Sequence, residues 1–320
     1  MIKVPTKNEI ILTRAFVFVM SSIFIMYLLF SSKGELYQAV EESNSRFLFN
    51  YFALVIITFS LYILTWKNPG FVLSNSNDKN NLQPIHQQET NELDRFEIVS
   101  STDTSKNDCE QNHVSILNEN KNLSANQLRF CEKCKIWQPL RSKHCKICDR
   151  CVRRYDHHCT LIGNCVGERN HFIFTTYLCF KSILSIWTIN MLSNCFTSEK
   201  TLELWFKNNF ILLILFAIIL FATLFILILA IIHVFLSTKN STTWEMEKRN
   251  RITYLKDLPS DFNPFYYGVF KNLKFFIIMT WRKIDWVPYT YKEKLKKDRE
   301  KSNFEKKCDL FCENDYYSCC

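Results

Sequence analysis

The sequence predicts an α-helical integral membrane protein, with four transmembrane helices and a cytosolic zinc-stapled cysteine-rich domain between the second and third spans. Three observations predict it. Four long stretches are nearly free of charge, seven of the 14 Cys lie between Cys131 and Cys165, and basic residues crowd that same segment. Composition removes competing classes. With 48% hydrophobic residues and 28 Phe, the 320-residue chain carries too much apolar mass to be disordered as a whole. Only 5 Gly are present, too few for collagen and few for the phosphate-cradling turns of a doubly wound nucleotide fold. The net charge of +9 points to an anionic membrane or a phosphate-bearing partner. No nucleic-acid partner is expected.

The spans come first. Ala15–Ser32 and Phe47–Trp66 carry no charge, and Phe210–Leu236 runs 27 residues with one titratable side chain, His233. As a helix that last stretch is about 40 Å long against about 30 Å of hydrocarbon, so it must tilt or protrude. The fourth stretch, Phe172–Phe196, is apolar apart from Lys181. A lysine there is costly unless it snorkels or lines a polar cavity. Ala15–Ser32 is not read as a cleaved signal, because no small-residue cleavage site follows it and a second span comes soon after.

Orientation follows from the basic residues. The loop from Lys33 to Arg46 holds two basic residues and three acids, whereas Lys133–Arg154 holds eight basic residues. The tail from Lys292 to Lys307 holds eight basic residues and four acids. Both termini and the central loop are therefore expected in the cytosol. The domain plan has five parts. Residues 1–73 hold the first two spans, and 74–127 form a polar, Asn- and Ser-rich disordered linker. The cysteine-rich domain is 128–171, the last two spans are 172–236, and 237–320 is a cytosolic C-terminal region.

A cytosolic cysteine cluster sits in a reducing space, which favours metal binding or catalysis over disulfides. The cluster reads Cys131-x2-Cys134-x9-His144-Cys145-x2-Cys148-x2-Cys151, then Asp156-His157-His158-Cys159, then Cys165. Tetrahedral structural zinc takes four Cys or His ligands. Two sites of three Cys and one His would use six Cys and two His, leaving one Cys and one His over. A purely structural zinc ribbon has no reason to leave that pair.

In an extended segment, residues two apart share a side. His157 and Cys159 then face one way and His158 the other, toward a zinc. Cys159 becomes a nucleophile and His157 its general base, raising the thiolate share of a thiol whose ordinary pKa is near ~8.5. Asp156 would orient the imidazole and fix its tautomer, a role that needs a local turn.

At this point the sequence resembles the Asp-His-His-Cys (DHHC) family of protein S-acyltransferases. The resemblance runs from Cys131 to Phe174 and includes Pro139, Arg141, Cys165, Gly167 and Asn170. Asn68-Pro69-Gly70 resembles the family's Asp-Pro-Gly element, and Thr242-Thr243-Trp244-Glu245 matches its Thr-Thr-x-Glu element. Asn263-Pro264-Phe265-x2-Gly268-x3-Asn272 resembles its C-terminal element.

The resemblance implies one zinc on Cys131, Cys134, His144 and Cys151, and a second on Cys145, Cys148, His158 and Cys165. Both would be structural. It implies that Cys159 is acylated, with His157 and Asp156 as partners. Thr242, Thr243, Glu245, Asn263 and Asn272 would support the site, with a Thr hydroxyl available to Asp156. Thr160-Leu161 stands where the family often has Pro-Trp, so an aromatic contact to the acyl donor is missing from the pattern.

The implied reaction is ping-pong transfer from a long-chain acyl-CoA, palmitoyl-CoA, to Cys159 and then to cysteines of protein substrates. A sixteen-carbon chain carries about 12 kcal/mol of apolar transfer free energy, at ~0.8 kcal/mol per CH₂, and belongs among membrane helices. The coenzyme A phosphates would stay at the interface near Lys133, Lys135, Arg141, Lys143 and Lys146. Contact with anionic lipid headgroups is the plainer reading of any one of these. Expected partners are membrane lipids and cytosolic-face proteins with membrane-proximal cysteines. Golgi or endoplasmic reticulum is the expected membrane, with the plasma membrane as a further option. A membrane-anchored zinc scaffold would leave His157 and Cys159 unused, and a transporter would leave the whole cysteine cluster unexplained. For the terminal Cys319 and Cys320 on the basic tail three readings stand: an unmodified terminus, prenylation, and S-acylation by this enzyme or a neighbour.

Overall fold

The computed structural model describes residues 6–30, 35–42, 44–72, 129–284 and 286. The expected linker at 74–127, the basic stretch Lys292–Lys307, and Cys319 and Cys320 lie outside these residues. Helix α1 spans Lys7–Phe30, α2 Glu35–Glu41, α3 Ser45–Leu64, α4 His171–Ser193 and α5 Leu202–Lys239. Among the described residues, α3, α4 and α5 are long and apolar enough to cross a membrane. Helix α2 falls in the loop between the first two expected spans, where the sequence reading had no helix.

Helices α3 and α5 start where a side chain satisfies a free N–H group. Asn44 accepts the Phe47 N–H before α3, and Thr201 accepts the Leu204 N–H before α5. The 38-residue α5 is about 57 Å long. It exceeds the 27-residue apolar stretch because Leu202–Asn209 precede it and Ser237–Lys239 follow it; Asn209 donates to Thr197 O and Trp205 O. Asn240, in the left-handed region at φ 49°, ends the helix.

Helix α4 packs between α3 and α5. One apolar core joins Tyr51 and Val55 of α3 to Leu184, Met191 and Leu192 of α4 and Leu212 of α5. The outward faces keep large apolar side chains exposed, Phe221 at 76% and Ile211 at 71% among them. A surface of that kind suits lipid and not water. Lys181 lies half-buried within α4.

The cysteine-rich module is three antiparallel hairpins. They are β1 Arg129–Cys131 with β2 Ile136–Gln138, β3 Lys143–Cys145 with β4 Arg150–Val152, and β5 His157–Cys159 with β6 Asn164–Val166. In the first two the turn is a Cys-x2-Cys knuckle. The Cys134 N–H donates to Cys131 Sγ and the Cys148 N–H to Cys145 Sγ, and Lys135 and Asp149 follow with positive φ. Strands this short carry little apolar alternation, so their sequence gives no strand signal.

The module sits on the helix ends through backbone contacts. Asn68 Oδ1 accepts the N–H groups of Gly70 and Phe71, turning the chain after α3 so that Phe71 bridges to Val152. A Cβ at Gly167 would lie 2.6 Å from Val152 Cγ1 and 2.7 Å from Pro69 O, so only glycine fits that approach. Asn164 and Asn170 both donate to Thr65 O at the end of α3.

Beyond α5 come the short α6, Thr243–Glu247, and α7, Val269–Ile278. Asn263 donates to Lys239 O, and the buried Asn272 donates to Thr238 O. Both fix the C-terminal segment to carbonyls that the end of α5 leaves free. Phe265, Phe276, Met279 and Trp286 close a small core there.

Candidate active site

Two groups of four side chains could hold a metal ion: Cys131, Cys134, His144 and Cys151, and Cys145, Cys148, His158 and Cys165. Strand geometry explains the interleaving. His144 and Cys145 are neighbours on β3 and point to opposite faces. His144 pairs across the hairpin with Cys151, and His158 pairs with Cys165. Zinc held by thiolates and an imidazole sets ligand atoms roughly 3.6–3.8 Å apart, from bonds of ~2.3 and ~2.0 Å. In the first group Cys134 Sγ and Cys151 Sγ lie 3.2 and 3.9 Å from His144 Nδ1. In the second, Cys145, Cys148 and Cys165 lie 3.7, 3.3 and 3.5 Å from His158 Nδ1. The thiols are unpaired by disulfides, and both donor sets fit a tetrahedral ion.

On the other face of β5, His157 and Cys159 come together. His157 Nδ1 lies 2.7 Å from Asp156 Oδ2. Asp156 is fully buried, and its Oδ1 accepts the Thr243 backbone N–H at 2.8 Å. Burial favours the protonated acid, but the hydrogen-bonded, positively charged His157 holds the Asp156 carboxyl well below the usual range. Burial would lower the His157 pKa, yet its hydrogen bonds to Asp156 and Cys159 outweigh that and raise it to about 10. Burial also works against a Cys159 thiolate. The His157 contact and the backbone N–H groups of Ile162 and Leu161 reverse this and bring the thiol below its ordinary value. The pair therefore favours an imidazolium beside a thiolate.

Cys159 lies where the module meets the helices, against a cluster of Tyr62, Ile162, Val166, Phe174, Leu178 and Ala230. Tyr62 donates its hydroxyl to Leu161 O, and Arg14 of α1 donates to Ile162 O. Thr160 and Leu161, which replace the aromatic pattern, are exposed, Leu161 at 55%.

The supporting residues act differently from the sequence reading at one point. Thr243 reaches Asp156 through its backbone N–H, and its hydroxyl has no hydrogen-bond partner among the described residues. Thr242 accepts the Glu245 N–H, and Glu245 accepts the Thr242 N–H in return, a capping box that opens α6. Glu245 also binds Arg141 with two bonds of 2.7 Å.

That contact corrects the expected phosphate cluster. Arg141 is buried, paired with Glu245 and stacked between Phe265 and Trp286, so it is not offered to a phosphate. Lys143 lies over the Trp244 ring, 2.9 Å from its centroid, and burial pushes its pKa down to about 8. Lys133, Lys135 and Lys146 are exposed, with Lys135 paired to Glu132.

Two further imidazoles border the site. His171 and His233 are both buried, and His233 groups with Asp156 and His157 within 4.8 Å. The sequence signal was present, since a titratable ring alone in a 27-residue apolar span is rarely idle.

Chemistry of this kind belongs to membrane-embedded enzymes that work through a cysteine thiolate. Comparison with known proteins agrees. The family description "DHHC palmitoyltransferase" matches residues 124–250. The chain is 37% identical over 194 residues to a Dictyostelium discoideum protein named Putative ZDHHC-type palmitoyltransferase 7, covering 60% of this chain and 43% of that one. It is 39% identical over 143 residues to Protein S-acyltransferase 10 of Arabidopsis thaliana, covering 45% and 41%. The human Palmitoyltransferase ZDHHC12 is 31% identical over 253 residues, 79% of this chain and 82% of the human one. With that coverage, the chain belongs to the DHHC palmitoyltransferase family.

Proposed function

We propose that this chain is a protein S-acyltransferase that carries a long-chain acyl group on Cys159 between acyl-CoA and protein cysteines. The observation that carries the reading is the Asp156–His157–Cys159 contact on the strand face turned away from the ligand His158. The Cys159 thiolate attacks the thioester carbonyl, the bond from carbonyl carbon to the coenzyme A sulfur breaks, and the leaving thiolate takes the His157 proton. A substrate thiol then returns a proton to His157 and displaces Cys159 from the acyl group. One thioester replaces another at each step, so neither needs a large driving force. Asp156 keeps the His157 tautomer fixed through both steps.

Zinc in both four-ligand groups is structural in this reading, because protein fills every position. Residues 128–171 form the zinc domain and 172–236 hold the last two spans. Four crossings with both termini cytosolic draw support from the helix ends. The module touches the C-terminal ends of α3 and α5, the start of α4, and Arg14 near the start of α1. That alternation suits four antiparallel crossings with the module on one side. Exposed Lys133, Lys135 and Lys146 are the residues available to coenzyme A or lipid phosphates. Substrates would be cytosolic-face proteins with membrane-proximal cysteines, in Golgi, endoplasmic reticulum or plasma membrane.

Labelling with an alkyne analogue of palmitoyl-CoA tests the reading. Wild type should carry a hydroxylamine-sensitive label on Cys159 that passes to an added substrate cysteine. A zinc scaffold without transferase activity would hold two zincs and take no label.

A further inference from the structure

Asp156 Oδ1 has two donors in view. The Thr243 N–H reaches it at 2.8 Å, and His171 Nε2 lies 3.8 Å away. That second distance is beyond a hydrogen bond. His171 Nε2 instead meets His233 Nδ1 at 3.0 Å. The remaining nitrogen, His171 Nδ1, lies 2.9 Å from Arg154 NH1. Arg154 is fully buried and also donates to Asn240 Oδ1 and Ser241 O.

A guanidinium only donates, so it dictates the protons of the whole row. The His171 nitrogen facing Arg154 must be the bare acceptor. Its other nitrogen then carries hydrogen and donates to His233, whose facing nitrogen must be bare in turn. The row depends on both rings standing as described, since a flipped ring would set carbon against its partner. Both imidazoles are thereby fixed as neutral rings with one allowed tautomer each. No step of the proposed reaction uses either of them.

We infer that His233 is a positioning residue that accepts the His171 N–H and so keeps it off Asp156, reserving that carboxylate for His157. The inference rests on the acyltransferase reading. Without an acceptor at 233, the buried His171 N–H has no partner, and a buried donor without a partner is costly. Asp156 Oδ1 is the acceptor within a short shift. A third bond to the carboxylate would weaken its hold on His157, and His157 would stabilise the Cys159 thiolate less well. His233 thus acts through Asp156, with no contact to the acyl group required.

The test compares His233→Phe with His233→Gln in the full-length, zinc-loaded protein in detergent. Gln offers a carbonyl oxygen to the His171 N–H, and Phe offers nothing. His233→Phe should lower the rate of Cys159 self-acylation at saturating palmitoyl-CoA by about tenfold, the equivalent of ~1.4 kcal/mol. Its KM for palmitoyl-CoA and its zinc content should not change. His233→Gln should recover to within about threefold of wild type. A Gln variant as slow as the Phe variant, with zinc intact in both, overturns the inference. A Phe variant as fast as wild type does the same.

Imidazole ¹⁵N shifts of the wild-type protein give an independent check if the Phe variant fails to fold. They should report a neutral His171 with the Arg154-facing nitrogen bare, and a neutral His233 with the His171-facing nitrogen bare. A protonated nitrogen at either of those positions overturns the proposal. Wild type that never acylates Cys159, yet shows the expected tautomers, would overturn the acyltransferase reading and with it the role assigned to His233.

Discussion

Asp156 Oδ1 accepts the backbone N–H of Thr243 across 2.8 Å, tying the reactive strand to the first residue of α6. The bond needs the Thr243 backbone and not its hydroxyl, which has no partner among the described residues. Two substitutions separate the atoms. Thr243→Val keeps the N–H and should leave self-acylation within about twofold of wild type. Thr243→Pro removes only the N–H, because proline is tolerated at the first helical position and Thr242 is already extended at φ −118° and ψ 157°. Losing a hydrogen bond to a charged acceptor costs about 1.5–3 kcal/mol, so the proline variant should self-acylate roughly 10- to 100-fold more slowly. Stopped-time gel labelling measures both.

Cys159 contributes to neither four-ligand group. Cys159→Ser should therefore abolish self-acylation and transfer while zinc stays near two per chain. Metal analysis of the purified variant decides the second half. Loss of one zinc would assign Cys159 to a ligand set and remove it from the chemistry.

The two histidines of the motif should part company. His157 faces Asp156 and Cys159, whereas His158 faces three thiols at 3.3–3.7 Å. His157→Ala should slow self-acylation by 10²-fold or more, within the ~10²–10⁴ range of acid–base catalysis, at unchanged zinc content. His158→Ala should lose about one zinc and unfold the module at lower temperature, since ion binding is also folding energy. Matching behaviour in the two variants would mean that β5 does not alternate.

Much of this is legible in the sequence itself. Charge-free length pointed to α3, α4 and α5, because about twenty apolar residues leave few alternatives to a span. Ligand arithmetic and strand alternation singled out His157 and Cys159. What stayed hidden depended on contacts distant in sequence. Arg141 reads as a surface cation in its basic neighbourhood, and only its meeting with Glu245, 104 residues later, makes it a buried strut. The Thr243 contact could not be read either, because a backbone donor leaves no residue signature. His233 was visible as the odd ring in an apolar run, but its neighbours His171 and Arg154 come from another helix and from the module.

The Arg141–Glu245 pair should be a stability determinant and not a phosphate site. Both side chains are buried, and the guanidinium makes two bonds of 2.7 Å. Removing one partner of a buried pair costs about 3–5 kcal/mol, because the other charge is left uncompensated. Glu245→Ala should lower the unfolding temperature sharply, and Arg141→Lys with Glu245 intact should also lower it, because an ammonium cannot make the two-bond fork. The double variant Arg141→Leu/Glu245→Leu should be more stable than Glu245→Ala. Palmitoyl-CoA affinity, measured in Arg141→Leu/Glu245→Leu, should stay within about threefold of wild type if Arg141 holds no phosphate.

The orientation of the chain can be read with single cysteines placed in a background that keeps the module's ligands. Gln38 is exposed on α2, between the first two expected crossings, while Asn120 and Lys294 belong to segments expected beside the module. The start of α4 and the ends of α3 and α5 meet the module, so the proposed four-crossing arrangement expects the opposite helix ends, with α2, on the far side of the bilayer. A membrane-impermeant maleimide added to sealed, cytosolic-side-out vesicles should label Asn120→Cys and Lys294→Cys at once. Gln38→Cys should react only after detergent opens the vesicles. The chemistry depends on this result, because thiols meant for zinc persist only where disulfides do not form. A protected Asn120 would place the seven clustered cysteines in an oxidising space, and the two zinc groups would have to give way to disulfides.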